Sequence, residues 1–277
     1  MATLEVPEPP AHRFARAAWA LRDGWTLTRR ELSQLRHQPG ELAAAVILPG
    51  VLVVLFGYVF GSAIQVPGGG NYRAYLMPGL FAMSAITGVM AGALAVSKDI
   101  AEGVMDRFRS MPVARSAVPF GRTAADLATS VPGVLVMVGV GLAVGWRMNN
   151  GPLAAFAGFG LILLLRYALS WIGTFVGLLV RPEVADNLVP LVFPVSMLSN
   201  SFVPTGGMPA WLRVIADWNP VSGLVAACRQ LFGNPTALGA HPGFPLHHPV
   251  TVTVAWSAAI LAVFVPLTTL RYRRAGR

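Results

Sequence analysis

Apolar and polar stretches alternate along the chain to give six greasy runs, residues 42–60, 74–96, 124–146, 153–180, 188–204 and 250–270, separated by more polar breaks of which 97–123 and 205–249 are long. A helix needs about 20 apolar residues to cross a hydrocarbon layer ~30 Å thick, and these runs have that length. They lack the roughly ten-residue alternation of barrel strands. The pattern therefore predicts an all-α membrane protein with six transmembrane helices. Pro49 and Gly50 predict a kink in the first. The second carries Gly79, Ala82, Ala85, Gly88 and Gly92, a composition that lets helices approach closely. The fourth run exceeds what a bilayer requires and should tilt or begin outside it. The fifth holds Pro190, Pro194, Ser196, Ser199, Asn200 and Ser201, so it should be short or broken. A broken helix at membrane depth survives only where protein or a wet cavity surrounds it.

Two polar segments have helical periodicity of their own. In the first 40 residues, Phe14, Ala18, Leu21, Trp25, Thr28, Leu32 and Leu35 recur at steps of four and three, ringed by Arg13, Arg16, Arg22, Arg29, Arg30 and Arg36. That is the signature of an N-terminal interfacial amphipathic helix, in which Arg22, Trp25, Arg29 and Arg30 are candidate contact residues. Between the second and third runs, residues 98–122 set Ile100, Val104, Phe108 and Met111 in one stripe. Asp99, Glu102 and Asp106 come early in it, Arg107 and Arg109 come late, and Pro112 ends it. Such a helix either rests on lipid headgroups or docks into a partner protein. Residues 205–249 predict two short external helices, interfacial or re-entrant. One follows Pro209 with Trp211, Leu212, Ile215 and Trp218 toward lipid and Arg213 paired to Asp217; the other stripes Val221, Leu224, Val225, Cys228 and Leu231.

Composition agrees: 277 residues, 55% hydrophobic, 12% charged and a mean hydropathy of +0.60. The net charge of +9 does not point to nucleic acid, because the basic residues gather at the ends of the apolar runs. Segments 1–40, 98–122, 181–187 and 271–277 carry six, five, one and four basic residues; segments 61–73, 147–152 and 203–249 carry one, one and two. The excess predicts both termini in the cytoplasm of a multi-pass plasma-membrane protein. It divides into a cytoplasmic segment 1–40, a six-span body 41–270 and a basic tail 271–277. Residues 1–10 lack the apolar core of a cleavable signal, so the N-terminus is expected to be retained.

Catalytic chemistry is sparse. His12, His37, His241, His247 and His248 all fall outside the runs, so a buried nucleophile has no histidine base. Asp126 stands without a second carboxylate within the runs, which argues against a proton relay. The last three histidines, interspersed with prolines and without Cys or Glu nearby, read as a loop, and no metal site is expected. Cys228 is the single cysteine and reads as a small apolar residue. Lys98 is the sole lysine and follows Ala-Val-Ser rather than a glycine-rich loop, so this chain has no P-loop of its own. Arg166 is the one charge deep within a run. It either marks function or simply caps a carbonyl or snorkels to the interface. Ser84, Thr87, Ser199 and Asn200, with Met83 and Phe202, are candidates for lining a path for amphiphilic cargo, although Ser and Thr in spans also bond to their own helix backbone.

The order of these features resembles the type-2 ABC exporter permeases, and within them the daunorubicin-resistance group. The resemblance covers nearly the whole chain. It is most specific in EGVMDRFRSMPVARSAVPFGR (residues 102–122), with Asp106, Arg107, Arg109 and Pro112, and in SFVPTGGMPAWLRVIADWNP (residues 201–220). It implies a non-catalytic membrane subunit that pairs with a second copy of itself or a paralogous permease into a twelve-span dimer. Two copies of a separate ABC ATPase would bind ATP and Mg on the cytoplasmic side, and no cofactor would sit on this chain. It also implies a coupling helix over 99–111 that docks on the ATPase, which assigns that role to Asp99, Ile100, Glu102, Val104, Asp106, Arg107, Phe108, Arg109 and Met111. The N-terminal helix would touch the ATPase too, and the two short helices would close the external side. Cargo would pass along the first, second and fifth spans. The expected function is ATP-driven export of a hydrophobic or amphiphilic compound such as an antibiotic or lipid-like molecule. The alternatives are a polysaccharide or lipid-linked glycan permease, and a non-transporting anchor or intramembrane enzyme.

Overall fold

The computed structural model describes residues 71–103, 117–188, 192–236 and 243–274, together with 47, 50–55, 58 and 190. In chain order its helices are α1 (Tyr72–Ala101), α2 (Ala117–Ala143), α3 (Gly151–Gly177), α4 (Pro182–Leu188), α5 (Val192–Met197), α6 (Ala210–Trp218), α7 (Pro220–Phe232), α8 (Phe244–His247) and α9 (Pro249–Arg274). Among the described residues there is no strand. Four helices, α1, α2, α3 and α9, are long and apolar enough to cross a membrane, matching the second, third, fourth and sixth runs. Residues 50–55 of the first run are helical. The remainder of that run, the N-terminal interfacial helix and residues 104–116 lie outside the described residues.

Local chemistry sets the helix ends. The Asn71 side chain accepts the Arg73 N–H at 2.9 Å and caps α1. At the other end Glu102 is the C-cap, and Gly103 turns left-handed at φ 68°. Residues 98–101 therefore belong to the last turn of α1. Asp99 and Ile100 complete α1, because nothing before Gly103 interrupts its hydrogen bonding. α7 begins where Asn219 accepts the Val221 N–H at 2.9 Å with Pro220 behind it, and stops at Gly233, φ 66°. The fifth run is broken, as its prolines predict: α4 ends at Leu188, α5 has six residues, and the chain then turns through 198–202.

Small residues of both the second and the fourth runs let their helices meet: a Cβ on Gly92 of α1 would come within 3.0 Å of the Ser170 carbonyl of α3. α1 and α3 meet so closely that a Cβ on Gly173 would collide with the Val89 carbonyl, and one on Gly177 would come within 2.6 Å of the Ala93 carbonyl. Beside this seam Phe81, Trp146, Phe159 and Phe232 form an aromatic core. Edge-on contacts of 5.4 Å join Phe81 to Trp146 and Trp146 to Phe232, and Phe159 lies 5.1 Å from Phe232. α7 is part of this core: Leu224, Val225, Cys228 and Phe232 are fully buried. Of the two expectations for it, interfacial or re-entrant, the interfacial one does not hold, since α7 is packed into the bundle. α6 keeps an exposed apolar face of Trp211, Val214, Ile215 and Trp218.

The elements sort to two ends. At one, Trp146 Nε1 donates to Asn234 Oδ1 at 2.8 Å, and Asn150 donates to the Gln230 carbonyl at 2.8 Å. At the other, Asp99 pairs with Arg122 at 3.2 Å, and Val96, Val118, Leu178 and Tyr272 pack together. The grouping is the one that alternating membrane crossings require.

Candidate functional site

Two buried arginines organise the polar interior. Arg166, in the fifth turn of α3, is 7% exposed. Its Nη2 meets Asp126 Oδ1 of α2 at 2.7 Å, while its Nη1 donates to the Ser84 carbonyl of α1 and to Thr87 Oγ1 at 3.2 Å. Gly88 makes room for this: a Cβ there would sit 3.2 Å from the Arg166 side chain and 3.4 Å from Asp126 Oδ2. Asp126, without a second carboxylate within the runs, has a basic partner. It is the counter-ion of Arg166, from a residue 40 positions away that only packing brings near. Arg166 also caps a carbonyl and stays inside the bundle rather than reaching for the interface. Ser84 Oγ donates to the Phe81 carbonyl and Thr87 Oγ1 to the Ser84 carbonyl, each at 2.7 Å. The network ties three spans into one neutral polar cluster in apolar surroundings.

The second arginine, Arg229 of α7, is one of the two basic residues of segment 203–249 and is fully buried. Its guanidinium lies 3.5 Å from the Tyr75 ring centroid. Nε and Nη2 donate to the Tyr75 carbonyl at 3.1 and 3.0 Å, and Nη2 also reaches the Asn200 carbonyl at 2.9 Å and the Ser201 carbonyl at 3.2 Å. Burial draws Arg229 down to about 10, so it remains cationic at neutral pH. The turn it grips is held by others too. Tyr75 Oη donates to the Asn200 carbonyl at 3.1 Å, the Ser222 hydroxyl accepts the Asn200 N–H at 3.1 Å, and the Asn219 amide donates to the Leu198 carbonyl at 2.9 Å. Gly79 is required beneath, since a Cβ there would strike the Ser201 carbonyl. These partners supply the hydrogen bonds that the broken fifth run gives up, which is what lets an irregular turn persist buried within protein. A sequence signal existed: Arg229 lies four residues after Val225 and three before Phe232, on the buried stripe of α7.

A smaller correction concerns α6. Asp217 is buried and accepts the Thr205 hydroxyl at 2.8 Å, and no ion pair joins it to Arg213 among the described residues. The turn that carries Thr205 comes back over α6 and reaches the carboxylate first.

No group of three or more His, Cys, Asp or Glu side chains capable of holding a metal occurs among the described residues. The interior cations bond to carbonyls and one carboxylate, so the arrangement positions helices rather than activating a nucleophile. Residues 22–232 match the model of the ABC-2 type transporter family. The chain belongs to that family. A daunorubicin resistance ABC transporter permease protein, DrrB1 of Streptomyces coeruleorubidus, is 30% identical over 274 residues, which is 98% of this chain and 91% of its own length. A probable doxorubicin resistance ABC transporter permease protein, DrrC of Mycobacterium tuberculosis, is 25% identical over 250 residues, 90% of this chain and 87% of its own. A putative transport permease, ycf38 of Porphyra purpurea, is 27% identical over 225 residues, covering 75% and 73%. These relatives are transporter permeases, and this chain is likewise a membrane permease.

Within this ABC-2 permease the proposed path residues fall into two groups. Met83 and Ser84 are half-buried on α1, Thr87 is exposed one turn on, and the latter two belong to the Arg166 network. Ser199, Asn200 and Phe202 are buried in the turn gripped by Arg229, so no open surface is formed by them within one chain. Of the residues expected to dock on an ATPase, Asp99 and Ile100 end α1 and Glu102 caps it. Val104, Asp106, Arg107, Phe108, Arg109 and Met111 lie outside the described residues, as do Arg22, Trp25, Arg29 and Arg30.

Proposed function

We propose that this permease is one half of an ATP-driven exporter for a hydrophobic or amphiphilic compound of the antibiotic or lipid-like kind. Two six-span chains, identical or paralogous, enclose the route. Two copies of a separate ABC ATPase carry ATP and Mg and supply the energy, since the sole lysine of this chain, Lys98, has no glycine-rich loop before it. The termini and the 98–122 segment face the cytoplasm, following the excess of basic residues there. The observation that carries the reading is the match, across nearly its full length, to a permease named for daunorubicin resistance. The fold agrees with it mechanically. α1 runs unbroken for 30 residues from the Tyr72 end to the turn at Gly103, so a push on the segment that follows travels along one rigid rod.

The test is to co-express the permease with its candidate ATPase and replace Phe108 and Met111 together by Asp. Cargo-stimulated ATP hydrolysis and efflux should both disappear while the permease still reaches the membrane in normal amount. Undiminished efflux by the double variant would refute the coupling role of this stripe, and failure of any ATPase to associate would refute the exporter reading.

A further inference from the structure

The turn at 198–202 is held by side chains from outside it. The carbonyls of Leu198, Asn200, Ser201 and Phe202 take their donors from Tyr72 and Tyr75 of α1, from Arg229 of α7 and from Asn219, which caps α7. Among the described residues no main-chain N–H reaches these four carbonyls. Where the turn sits therefore depends on which side-chain donors it takes.

Those donors are unevenly matched. Arg229 Nη2 carries two hydrogens, yet it faces three carbonyls, those of Tyr75 at 3.0 Å, Asn200 at 2.9 Å and Ser201 at 3.2 Å. The Ser201 bond is the longest of the three and has to share a hydrogen. Nη1 carries two more hydrogens but has no acceptor among the described residues, Asn200 Oδ1 has no donor, and both atoms are buried. The two residues already touch through Nη2 and the Asn200 carbonyl. A crowded donor, an idle donor and an idle acceptor thus lie in one contact. An idle buried group forfeits a full hydrogen bond. Bringing Oδ1 onto Nη1 while Nη2 drops the Ser201 carbonyl exchanges a shared bond for an unshared one, which sets two arrangements close in free energy.

We infer that Arg229 is the pivot of a two-position latch on this turn. In the seat described above, Nη2 holds the Asn200 and Ser201 carbonyls; in the other, Nη1 holds Asn200 Oδ1 and the Ser201 carbonyl is released. Tyr75 Oη donates to the Asn200 carbonyl at 3.1 Å, and Gly79 abuts the Ser201 carbonyl. Displacement of α1 against α7 therefore selects the seat. As a step in transport the latch rests on the exporter reading; as a property of the fold it does not.

Asn200 provides the test, because every hydrogen bond it makes in the first seat runs through its main chain. Asn200→Ala deletes the second seat, whereas Asn200→Asp keeps the shape and offers the idle donor a charged acceptor. Ser201 is fully buried, so a Ser201→Cys reporter in a Cys228→Ala background reacts with a small maleimide only when the turn lets go. In the full-length permease in nanodiscs, Asn200→Ala should slow this labelling by about fivefold, the weight of one hydrogen bond, and Asn200→Asp should speed it by a similar factor. Any other pattern overturns the latch, above all faster labelling in both, which a merely loosened turn would give. With the candidate ATPase co-expressed, both variants should lose most of their efflux. Wild-type efflux from Asn200→Ala would remove the latch from transport, while a wild-type permease that exports nothing would refute the exporter reading and leave the labelling result standing.

Discussion

Replacing Arg166 by Met tests what the intramembrane charge is for. At 2.7 Å from Asp126 Oδ1, the attraction is worth about 6 kcal/mol at an effective dielectric near 20. Desolvating the two ions costs several kcal/mol each, so the pair as a whole stabilises little. Removing one partner is another matter. It strands a carboxylate whose side chain is only 13% exposed, at about 3–5 kcal/mol. Against a total stability of about 5–15 kcal/mol that is a large fraction. The double variant Arg166→Met, Asp126→Leu removes both charges and should fall near wild type, or above it by up to about 4 kcal/mol. The Ser84 carbonyl is not orphaned in that variant, because Thr87 Oγ1 already donates to it. Thermal melting followed by size-exclusion chromatography, run on wild type, both single variants and the double, measures the cycle. An Arg166→Met protein that melts with wild type, or a double variant as fragile as the singles, would refute the reasoning. Lost efflux from a double variant of normal stability would give the pair a part in transport.

Two further outcomes follow from the packing. Arg229→Met leaves the Tyr75, Asn200 and Ser201 carbonyls without their guanidinium donor; the loss should be about 2–5 kcal/mol, seen as a lower melting temperature and faster proteolysis near 198–204, with Arg229→Lys restoring only part because one ammonium cannot cover the same fork of acceptors. Gly173→Ala forces apart a seam in which its Cβ meets the Val89 carbonyl and should cost about 1–3 kcal/mol, whereas Gly160→Ala on the same helix, with open space at its Cβ, should be neutral or stabilising in the same melting assay.

How much of this could be read from the residues depends on the range of the interaction. Apolar length marked α1, α2, α3 and α9, and the prolines of the fifth run announced its break, because both are properties of a local window. Gly88 and Gly92 signalled close approach without saying to what; the partners proved to be the Arg166 side chain and the Ser170 carbonyl. The Arg166 to Asp126 pairing was invisible because neither position hints at the other until α2 and α3 are packed. Arg229 was missed for a different reason. Its segment has the composition of an external amphipathic helix, and the burial comes from the turn at 198–202 and from Tyr75, both remote in the chain. The Arg213 to Asp217 pair was predicted from i, i+4 spacing alone, and a hydroxyl from outside the helix displaced it.

The main-chain contact between α1 and α3 constrains how this permease can move. Where Gly173 meets the Val89 carbonyl and Gly177 meets the Ala93 carbonyl and the Val96 Cβ, α3 has no side chain of its own to slide or swap rotamers, so neither helix can turn about its own axis without opening the joint. During a working cycle the two must travel as a single beam. Freedom to shift is left to α2 and α9, which both bury far less of their length than α1 and α3 and rest against that beam.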